Sequence, residues 1–327
     1  MIGQLLGIPF DIDLIFGGAA AGFFATLFVL NRALLTLPKD QGRKYAVNGE
    51  LSKGKPRGGG VVFVIVFIAA ALLFAPLSAE LVIIYALTAA AMLTGYLDDM
   101  SKIPWGELKK GLLDLAICII AVVTYCNFDG NYSVYFFGGA ALTLPVVIYI
   151  PIAVFFLWVS INVTNCTDGV DGLLGSLSTV TLGALAALLF IAHNTVLCGL
   201  CLIFCGVLLA YLIYNAPPSM LIMGDAGSRA LGLFIGICIL KTHIPLIYFL
   251  VGLIIFLDGG AGLVKLLVLR IFKLKNFMKD IRTPLHDHFR KKLGWSDTQT
   301  DVRYVAVHIM LCALGIYLAD IIYRELN

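Results

Sequence analysis

Charged residues are scarce in this chain. Of its 327 residues, 13% are Asp, Glu, Lys or Arg, 60% are hydrophobic, and the mean hydropathy is +0.97. A soluble domain carries about 25% charged residues, so this composition excludes one and predicts an integral membrane protein. Segments of about ten residues with alternating hydrophobicity are also missing, which excludes an outer-membrane barrel. We therefore predict an all-α polytopic membrane protein, with residues 1–327 forming a single domain.

Three further signals are absent. The first 13 residues have neither a basic region nor a small-residue cleavage site, so we expect no cleaved signal peptide. The formal net charge of +3 is too small to favour a nucleic acid partner. Cys198, Cys201 and Cys205 fall at helical spacing, but they stand within an apolar run. They are interpreted as small buried hydrophobic residues rather than as a metal site.

Long apolar windows, by contrast, are frequent. A helix needs about 20 apolar residues to cross the hydrocarbon core of a bilayer. Ten windows approach this length, at about residues 13–37, 58–77, 80–97, 111–126, 145–161, 173–192, 196–214, 228–241, 244–270 and 301–323. We therefore predict about ten transmembrane helices in contact with the lipid bilayer.

Lysine and arginine occur only in alternate loops between these windows. The odd-numbered loops are 38–57, 98–110, 162–172, 215–227 and 271–300, and they contain 6, 3, 0, 0 and 7 such residues. The even-numbered loops 78–79, 127–144, 193–195 and 242–243 contain none. By the positive-inside rule, the odd loops lie in the cytoplasm and both termini lie outside. Loop 127–144 has turn residues and a β-type composition, which favours a small external β-hairpin.

The most polar stretch among the apolar runs is residues 162–173. It contains Asn162, Asn165, Asp168 and Asp171. An ionised Asp in a bilayer core costs roughly 2.5 to 3.5 kcal/mol, so two carboxylates must face water, a cation or a cavity. A tight interhelical turn, with Asn and Asp as caps and Gly at the bend, is the alternative interpretation.

Carboxylates also mark two other odd loops. Asp98 and Asp99 end the third window, and Asp225 lies between glycines just before the eighth. Such hard oxygen ligands suit Mg²⁺ or Mn²⁺, and an Asp at a helix start can hold a metal while neighbouring N–H groups face phosphate. The alternatives are solvation of a helix end for Asp98 and Asp99, and an N-cap for Asp225 or Ser228.

The first odd loop is basic. It runs through Lys53, Lys55 and Arg57 to three consecutive glycines that open the second window. A glycine-rich helix entry can bind phosphate through its backbone amides, and the lysines attract anions. Contact between a juxtamembrane basic cluster and anionic lipid is the alternative.

Two histidines lie in the last odd loop. His286 and His288 could bind zinc, act as general acid or base, or donate hydrogen bonds to a diphosphate. Zinc is the least favoured of these, because no cysteine is near and the other candidate ligands are hard oxygens. Asp258 lies within the ninth window with Lys265 about two turns away, and its partner stays open at this point.

Together these motifs resemble the polyprenyl-phosphate hexose-1-phosphate transferases, membrane enzymes that load a sugar phosphate onto a lipid carrier. Asp98-Asp99-Met-Ser-Lys102 is similar to the family's Asp-Asp-x-x-Lys element. Asn162-x-x-Asn165-x-x-Asp168-Gly-x-Asp171-Gly172 is similar to its central signature. Asn215-Ala-Pro and Met223-Gly-Asp225-x-Gly-Ser228 continue the series in order, so the likeness covers nearly the whole chain.

Within this family the chain is most similar to the branch that transfers phospho-MurNAc-pentapeptide. Pro284-Leu-His286-Asp-His288-Phe and Leu293-Gly-Trp295-Ser resemble its Pro-x-His-His-His segment and its Lys-Gly-Trp continuation. The chain departs from the pattern in three places. Asp287 replaces the middle His, Arg290 replaces Glu, and Lys55-Pro56-Arg57-Gly58 replaces Thr-Pro-Thr-Met.

The resemblance implies transfer of phospho-MurNAc-pentapeptide from its UDP donor to undecaprenyl phosphate, in the bacterial inner membrane. The products would be UMP and lipid I, for peptidoglycan synthesis, with Mg²⁺ or Mn²⁺ as cofactor and the active-site cleft on the cytoplasmic face. The resemblance also suggests a homodimer.

The same resemblance assigns roles to residues. It implies that Asp98, Asp99, Asp225 and His286 are catalytic, and that the three Asp residues bind the metal. The residues implied in substrate binding are Lys53, Lys102, Asn162, Asn165, Asp168, Asp171, Asn215 and His288. Asn165, Asp168, Asp171 and Asn215 would shape the nucleotide pocket, while His286 and His288 would contact the diphosphate.

Two other functions compete with this one. A sibling enzyme could transfer GlcNAc-1-phosphate or another amino-sugar phosphate to the same lipid. A cation-coupled transporter is the more remote alternative. Transporters usually hold ionisable groups near the midplane, often between internal repeats. In this chain the ionisable groups gather on one predicted face, and no repeat is visible.

Overall fold

The computed structural model describes residues 3–4, 7–40, 42, 52–101, 103, 105–274 and 276–326, so the predicted site residue Lys102 lies outside the described part. The described residues are mostly helical, which confirms the predicted all-α class. The helices are α1 (Ile12–Ala33), α2 (Gly59–Phe74), α3 (Ala79–Asp99), α4 (Glu107–Phe128), α5 (Val146–Thr167), α6 (Leu173–Ile191), α7 (Thr195–Asn215), α8 (Asp225–Leu240), α9 (Tyr248–Val251), α10 (Leu253–Leu267), α11 (Leu285–Leu293) and α12 (Asp297–Leu326).

Each predicted window corresponds to a helix or to a bent pair of helices. Seven helices in the described part are long and apolar enough to cross a membrane, and the pair bent by 93° between Val251 and Leu253 makes an eighth. The two remaining windows fold as α2 and α8, with 16 residues each. A helix of that size is about 24 Å long, several ångströms less than a hydrocarbon core.

Helix α8 lies at the centre of the bundle. Every residue from Ala226 to Leu240 is buried, and α8 packs against α2, α3, α5 and α6. A helix that is apolar all round is expected in such a position. Its one basic group, Arg229, is buried and pairs with Asp114 of α4 at 2.7 Å.

Glycines allow the neighbouring helices to approach α8 closely. A Cβ atom at Gly60 of α2 would overlap with the backbone of Gly227, and one at Gly95 of α3 would overlap with the backbone of Asp225. Small residues at helix contacts are the usual route to close packing in membranes. As a result, α2 and α3 lie directly against the first turn of α8.

The even loops and both chain ends lie at one end of the bundle. Gln4 Oε1 accepts a hydrogen bond from Leu77 N at 3.1 Å, beside the turn between α2 and α3. Near the other terminus, Glu325 Oε2 accepts one from Gly138 N at 2.6 Å. Described residues near both ends of the chain, Gln4 and Glu325, therefore lie beside even loops.

The predicted hairpin is confirmed. Strands β1 (Ser133–Tyr135) and β2 (Ala141–Thr143) form an antiparallel pair in the register Ser133 to Thr143. They are joined through a turn at Phe137–Gly139, next to the end of α12.

Gly60→Ala should destabilise the fold, because the added methyl group has no room against the backbone of Gly227. Overpacking of this kind typically costs about 1–3 kcal/mol. Gly183→Ala in α6 is the matched control, since a Cβ there meets no atom within 4 Å. Thermal unfolding in detergent should occur at a lower temperature for Gly60→Ala only. Equal unfolding temperatures for the two variants would contradict the close-packing argument.

Candidate functional site

Three predicted carboxylates meet where α3 ends and α8 begins. Asp98 and Asp99 are the last residues of α3, and Asp225 is the first residue of α8. Gly224 has φ 76°, and the space that its side chain would need is filled by the Asp99 carboxylate. Asp99 Oδ2 accepts a hydrogen bond from Ala226 N at 3.4 Å, at the positive end of the α8 dipole.

Two basic side chains pair with these carboxylates. Lys110, in the first turn of α4, forms an ion pair with Asp98 and lies 3.2 Å from Asp225 Oδ2. Arg57 Nη2 lies 2.7 Å from Asp99 Oδ1 and 3.8 Å from Asp225 Oδ1. The sequence predicts no role for Lys110, because a lysine in the first turn of a helix does not show which neighbouring helix its side chain faces.

A fourth carboxylate joins this group. Asp40 Oδ1 accepts a hydrogen bond from Arg57 Nη1 at 3.2 Å, and its Oδ2 accepts one from the Ser52 hydroxyl at 2.6 Å. We call Asp40, Asp98, Asp99 and Asp225, with Arg57 and Lys110, the charge cluster. Its four carboxylates and two cations leave two formal negative charges unbalanced.

The charge cluster also contains unused hydrogen-bonding capacity. Asp99 Oδ1 and Arg57 Nε are buried, and neither has a hydrogen-bond partner among the described residues. The contact between the two side chains is thus an ion pair without a well-directed hydrogen bond. In the described part of the chain, no three His, Cys, Asp or Glu side chains are placed to hold a metal ion as they stand.

A cavity of about 900 Å³ lies beside the charge cluster. The loops after α5 and α7 line it, together with residues near 52–55, α11 and the start of α12. Its polar lining residues include Ser52, Lys55, Asn165, Asp168, Asp171, Asn215, His286, Asp287, Arg290, Ser296, Asp297 and Thr298.

Several contacts join the cavity to the charge cluster. Asn165 Nδ2 donates to Ser228 Oγ, in the first turn of α8, at 2.9 Å. Asp168, on the cavity wall, interacts electrostatically with Arg57. Lys55, two residues before Arg57, donates to Asp171 Oδ2 at 3.0 Å. The cavity and the charge cluster are therefore neighbours that are joined by direct contacts.

The polar stretch 162–173 is both a turn and a wall of this cavity. Helix α5 ends at Thr167, and Gly172, with φ 83°, precedes α6. Asn215 holds this turn in place, because its Oδ1 accepts from Gly172 N at 3.0 Å. Its Nδ2 donates to Leu221 O at 2.9 Å, so one side chain connects two cavity loops.

His286 is fixed by a residue whose role the sequence left open. The fully buried Asp258 of α10 accepts from His286 Nδ1 and from His286 N, both at 2.7 Å. Tyr304 of α12 donates a third hydrogen bond to it at 3.2 Å. Nδ1 is thereby engaged, and Nε2 lies on the side of Gly169, where the ring lines the cavity.

This environment changes the protonation of His286. Burial lowers the pKa of the imidazole, but the charge and hydrogen bond of Asp258, together with the charge of Asp287, raise it, and the net pKa lies above the ordinary value of 6.5. The charged ring is the form that attracts phosphate oxygens. The ion pair stabilises the fold fully below the pKa of the unfolded chain, and this contribution is lost as pH rises through the folded pKa.

Other predicted binding residues lie outside the described lining of the cavity. Asn162 Nδ2 donates to Trp158 O of its own helix at 2.8 Å. His288 Nδ1 accepts from Arg282 N at 3.1 Å, which turns the ring to the loop before α11. Lys53 is exposed, between two residues that do line the cavity. Lys265 contacts Ile281 O and not Asp258.

The charged residues that depart from the pattern of the resembling branch are all ion-paired. Lys55 pairs with Asp171, and Arg57 pairs within the charge cluster. Arg290 Nη2 lies 2.6 Å from Asp297 Oδ1, and its Nη1 lies 3.5 Å from Asp287 Oδ1. Asp287 and Arg290 thus face each other, whereas Lys55 and Arg57 pair with carboxylates that belong to the shared motifs.

Comparison with known proteins gives two kinds of match. The profile described as glycosyl transferase family 4 matches residues 81–243, which contain Asp98, Asp99, Lys110 and Asp225. The phospho-N-acetylmuramoyl-pentapeptide-transferase of Treponema pallidum (strain Nichols) is 36% identical over 311 residues, covering 89% of this chain and 85% of the relative.

Proteins of the same name from other bacteria match over similar lengths. The relative from Clostridium beijerinckii is 30% identical, with 80% of this chain and 82% of the relative covered. The relative from Rickettsia canadensis is 27% identical, with 90% and 88% covered. The similarity thus extends through the charge cluster and most of the chain.

Asp258→Asn should lower the pKa of His286, because the neutral amide no longer favours the charged ring while burial continues to disfavour it. Loss of such a carboxylate partner shifts a pKa by about one unit or more. The titration can be followed by NMR with ¹³C-labelled histidine. Tyr304→Phe is the control, because it keeps the Asp258 charge and should leave the His286 pKa raised. An unchanged titration in Asp258→Asn would contradict this account.

Proposed function

Because this chain belongs to the phospho-N-acetylmuramoyl-pentapeptide-transferase family, we propose that it transfers phospho-MurNAc-pentapeptide from its UDP donor to undecaprenyl phosphate. The products are UMP and lipid I, a precursor of peptidoglycan. One observation carries the proposal: the charge cluster lies next to a polar cavity of about 900 Å³, and Asp168 on the cavity wall interacts with Arg57 of the cluster. Clefts of about 300–1,000 Å³ hold small-molecule ligands, so a nucleotide-sugar fits a cavity at the upper end of that range.

The charge cluster is suited to a reaction between two anions. Phosphoryl transfer depends on positioning and on neutralisation of charge, since the protein supplies little covalent chemistry. Lys110 and Arg57 place two positive charges at the junction of α2, α3, α4 and α8. These cations would attract the phosphates of both substrates to the same place.

We assign Asp98 to the lipid acceptor. Its Oδ1 accepts from Trp105 N at 2.8 Å and its Oδ2 pairs with Lys110, so the carboxylate is held in one orientation. In this position it would orient the undecaprenyl phosphate or take its proton. Asp99 is the next residue in the chain. Its Oδ2 accepts a hydrogen bond from Ala226 N, and this contact holds the end of α3, with Asp98, against the start of α8.

We assign the cavity to the UDP donor. The turn after α5 presents Asn165, Asp168 and Asp171, whose amide and carboxylate groups can bind the donors and acceptors of a nucleoside. Across the cavity, the His286 ring is held by Asp258, and its raised pKa favours the charged form that would attract a diphosphate. The diphosphate would then lie between His286 and the charge cluster.

We propose Mg²⁺ as the cofactor, with Mn²⁺ as a substitute, held by Asp225 with Asp98 and Asp99. The donor set fits a hard divalent cation, since the charge cluster has two unbalanced negative charges and Asp99 Oδ1 has no hydrogen-bond partner among the described residues. Bound there, the ion would neutralise charge on the phosphates. Within the chain, Lys110 and Arg57 balance part of the negative charge of the same carboxylates.

We propose that the face with the site is cytoplasmic and that both termini are outside, in a bacterial inner membrane. The lysine-rich and arginine-rich loops lie on the site face, and the termini lie on the opposite face beside the even loops. A homodimer stays a prediction from the resemblance.

The purified protein in detergent should release UMP from UDP-MurNAc-pentapeptide when undecaprenyl phosphate and Mg²⁺ are present. Release should be small with UDP-GlcNAc as donor, because the proposed donor includes the peptide-bearing sugar. Chromatographic measurement of UMP with the two donors in parallel tests this. Faster release from UDP-GlcNAc would contradict the proposed substrate, and cation flux in vesicles without UMP release would contradict the proposed class.

Asp225→Asn should lower kcat by about 10²-fold or more, because it removes a charge that holds both Lys110 and the proposed metal. Asp320→Asn is the matched control, since Asp320 pairs with Arg324 on the opposite face. UMP release at saturating Mg²⁺ is the measurement. Near-normal turnover in Asp225→Asn would show that the metal assignment is wrong.

A further inference from the structure

The segment that carries Arg57 is fixed to the strand-like residues just before α8. Ile222 N donates to Pro56 O at 2.8 Å, and Gly58 N donates back to Ile222 O at 3.1 Å. Arg57 N donates to Pro38 O at 2.8 Å on the other side. The backbone of residue 57 is therefore set by contacts that do not involve its side chain.

From this fixed position, the guanidinium reaches three carboxylates. It contacts Asp40, Asp99 and Asp225, at 3.2, 2.7 and 3.8 Å respectively. Only the contact with Asp40 is a directed hydrogen bond. The contacts with Asp99 and Asp225 are electrostatic, and they leave Arg57 Nε and Asp99 Oδ1 without hydrogen-bond partners in the described part of the protein.

These weakly directed contacts fall on two of the three carboxylates proposed to hold the metal. A divalent cation between Asp99 and Asp225 would need the oxygens that Arg57 now faces. The guanidinium would also repel the cation at this short range. Water would screen this repulsion little, because the Asp99 side chain is fully buried. Like charges a few ångströms apart inside a protein repel one another more strongly than they do in water.

We propose that Arg57 is a built-in counter-ion that competes with the divalent cation for Asp99 and Asp225, and so sets the affinity of the site for that ion. This inference rests on the proposed function of the charge cluster. When the ion binds, Arg57 leaves Asp99 and Asp225 and keeps its hydrogen bond to Asp40. Before it binds, Arg57 balances carboxylates that would otherwise repel one another in a buried place.

The competition can be measured without turnover. Purified full-length protein in detergent is titrated with Mn²⁺, and free Mn²⁺ is followed by electron paramagnetic resonance. Arg57→Gln and Arg57→Met remove the charge and should bind Mn²⁺ about tenfold more tightly than the unchanged protein. Two neutral variants are used so that an effect of one particular side chain is recognised.

Two charge-matched controls complete the titration. Arg57→Lys keeps the positive charge, so its Mn²⁺ affinity should stay closer to that of the unchanged protein than to that of the neutral variants. Lys55→Gln removes a cation from the same segment, but Lys55 pairs with Asp171 and not with the charge cluster. Its Mn²⁺ affinity should change much less than that of Arg57→Gln.

The unchanged protein supplies a further measurement that needs no variant. If Arg57 leaves Asp99 and Asp225, saturating Mn²⁺ should increase its modification by phenylglyoxal, as detected by mass spectrometry of the Arg57 peptide. This result stands even if the neutral variants fail to fold, which circular dichroism would reveal.

Specific outcomes would overturn the inference. They are equal or weaker Mn²⁺ binding in both folded neutral variants, no Mn²⁺ binding in any form of the protein, or protection of Arg57 from phenylglyoxal by Mn²⁺. A failure of the proposed function is distinguishable, because it appears as absent UMP release in a protein whose Mn²⁺ titrations follow the expected order.

Discussion

The close approach of α2 and α3 to the first turn of α8 is the constraint on which the rest of the site depends. Gly60 and Gly95 lie against the backbone at Gly227 and Asp225, where no side chain could fit. This approach brings the end of α3 to the start of α8, and it concentrates ionised groups where water is scarce. Unpaired charge in such a place is costly, so the cluster has to carry its own cations.

A buried ion pair next to the charge cluster helps to position it. Arg229, one turn after Asp225, pairs with Asp114 of α4 and also donates to Lys110 O at 3.3 Å. The buried pair thereby holds the first turn of α4, from which Lys110 reaches Asp98 and Asp225. The cavity is organised in the same manner, because Asp258 is itself buried and acts by orienting His286. In both halves of the site, a buried ionic contact determines the position of a polar group of the site.

Much of this arrangement could be predicted from the sequence, because the order of apolar windows and charged loops along the chain indicates which segments form helices and which loops lie together. The windows became helices, the hairpin formed in loop 127–144, and the carboxylates of the odd loops came together. What the sequence could not show is direction around a helix or a turn. His286 and His288 are two residues apart, yet only the first lines the cavity, because Asp258 holds one ring and Arg282 N holds the other. The importance of Lys110 and Asp258 likewise depends on which helix lies opposite, and that is set by packing.

The two halves of the site are built from different lengths of the chain. All of the charge cluster precedes residue 226, and most of it falls within the stretch shared with glycosyl transferase family 4. The far wall of the cavity comes from residues 284–298, beyond that stretch. Substitutions in this short wall could therefore alter the cavity proposed for the donor while the charge cluster stayed as it is. Divergence of donor choice in such a scaffold requires no redesign of the membrane bundle.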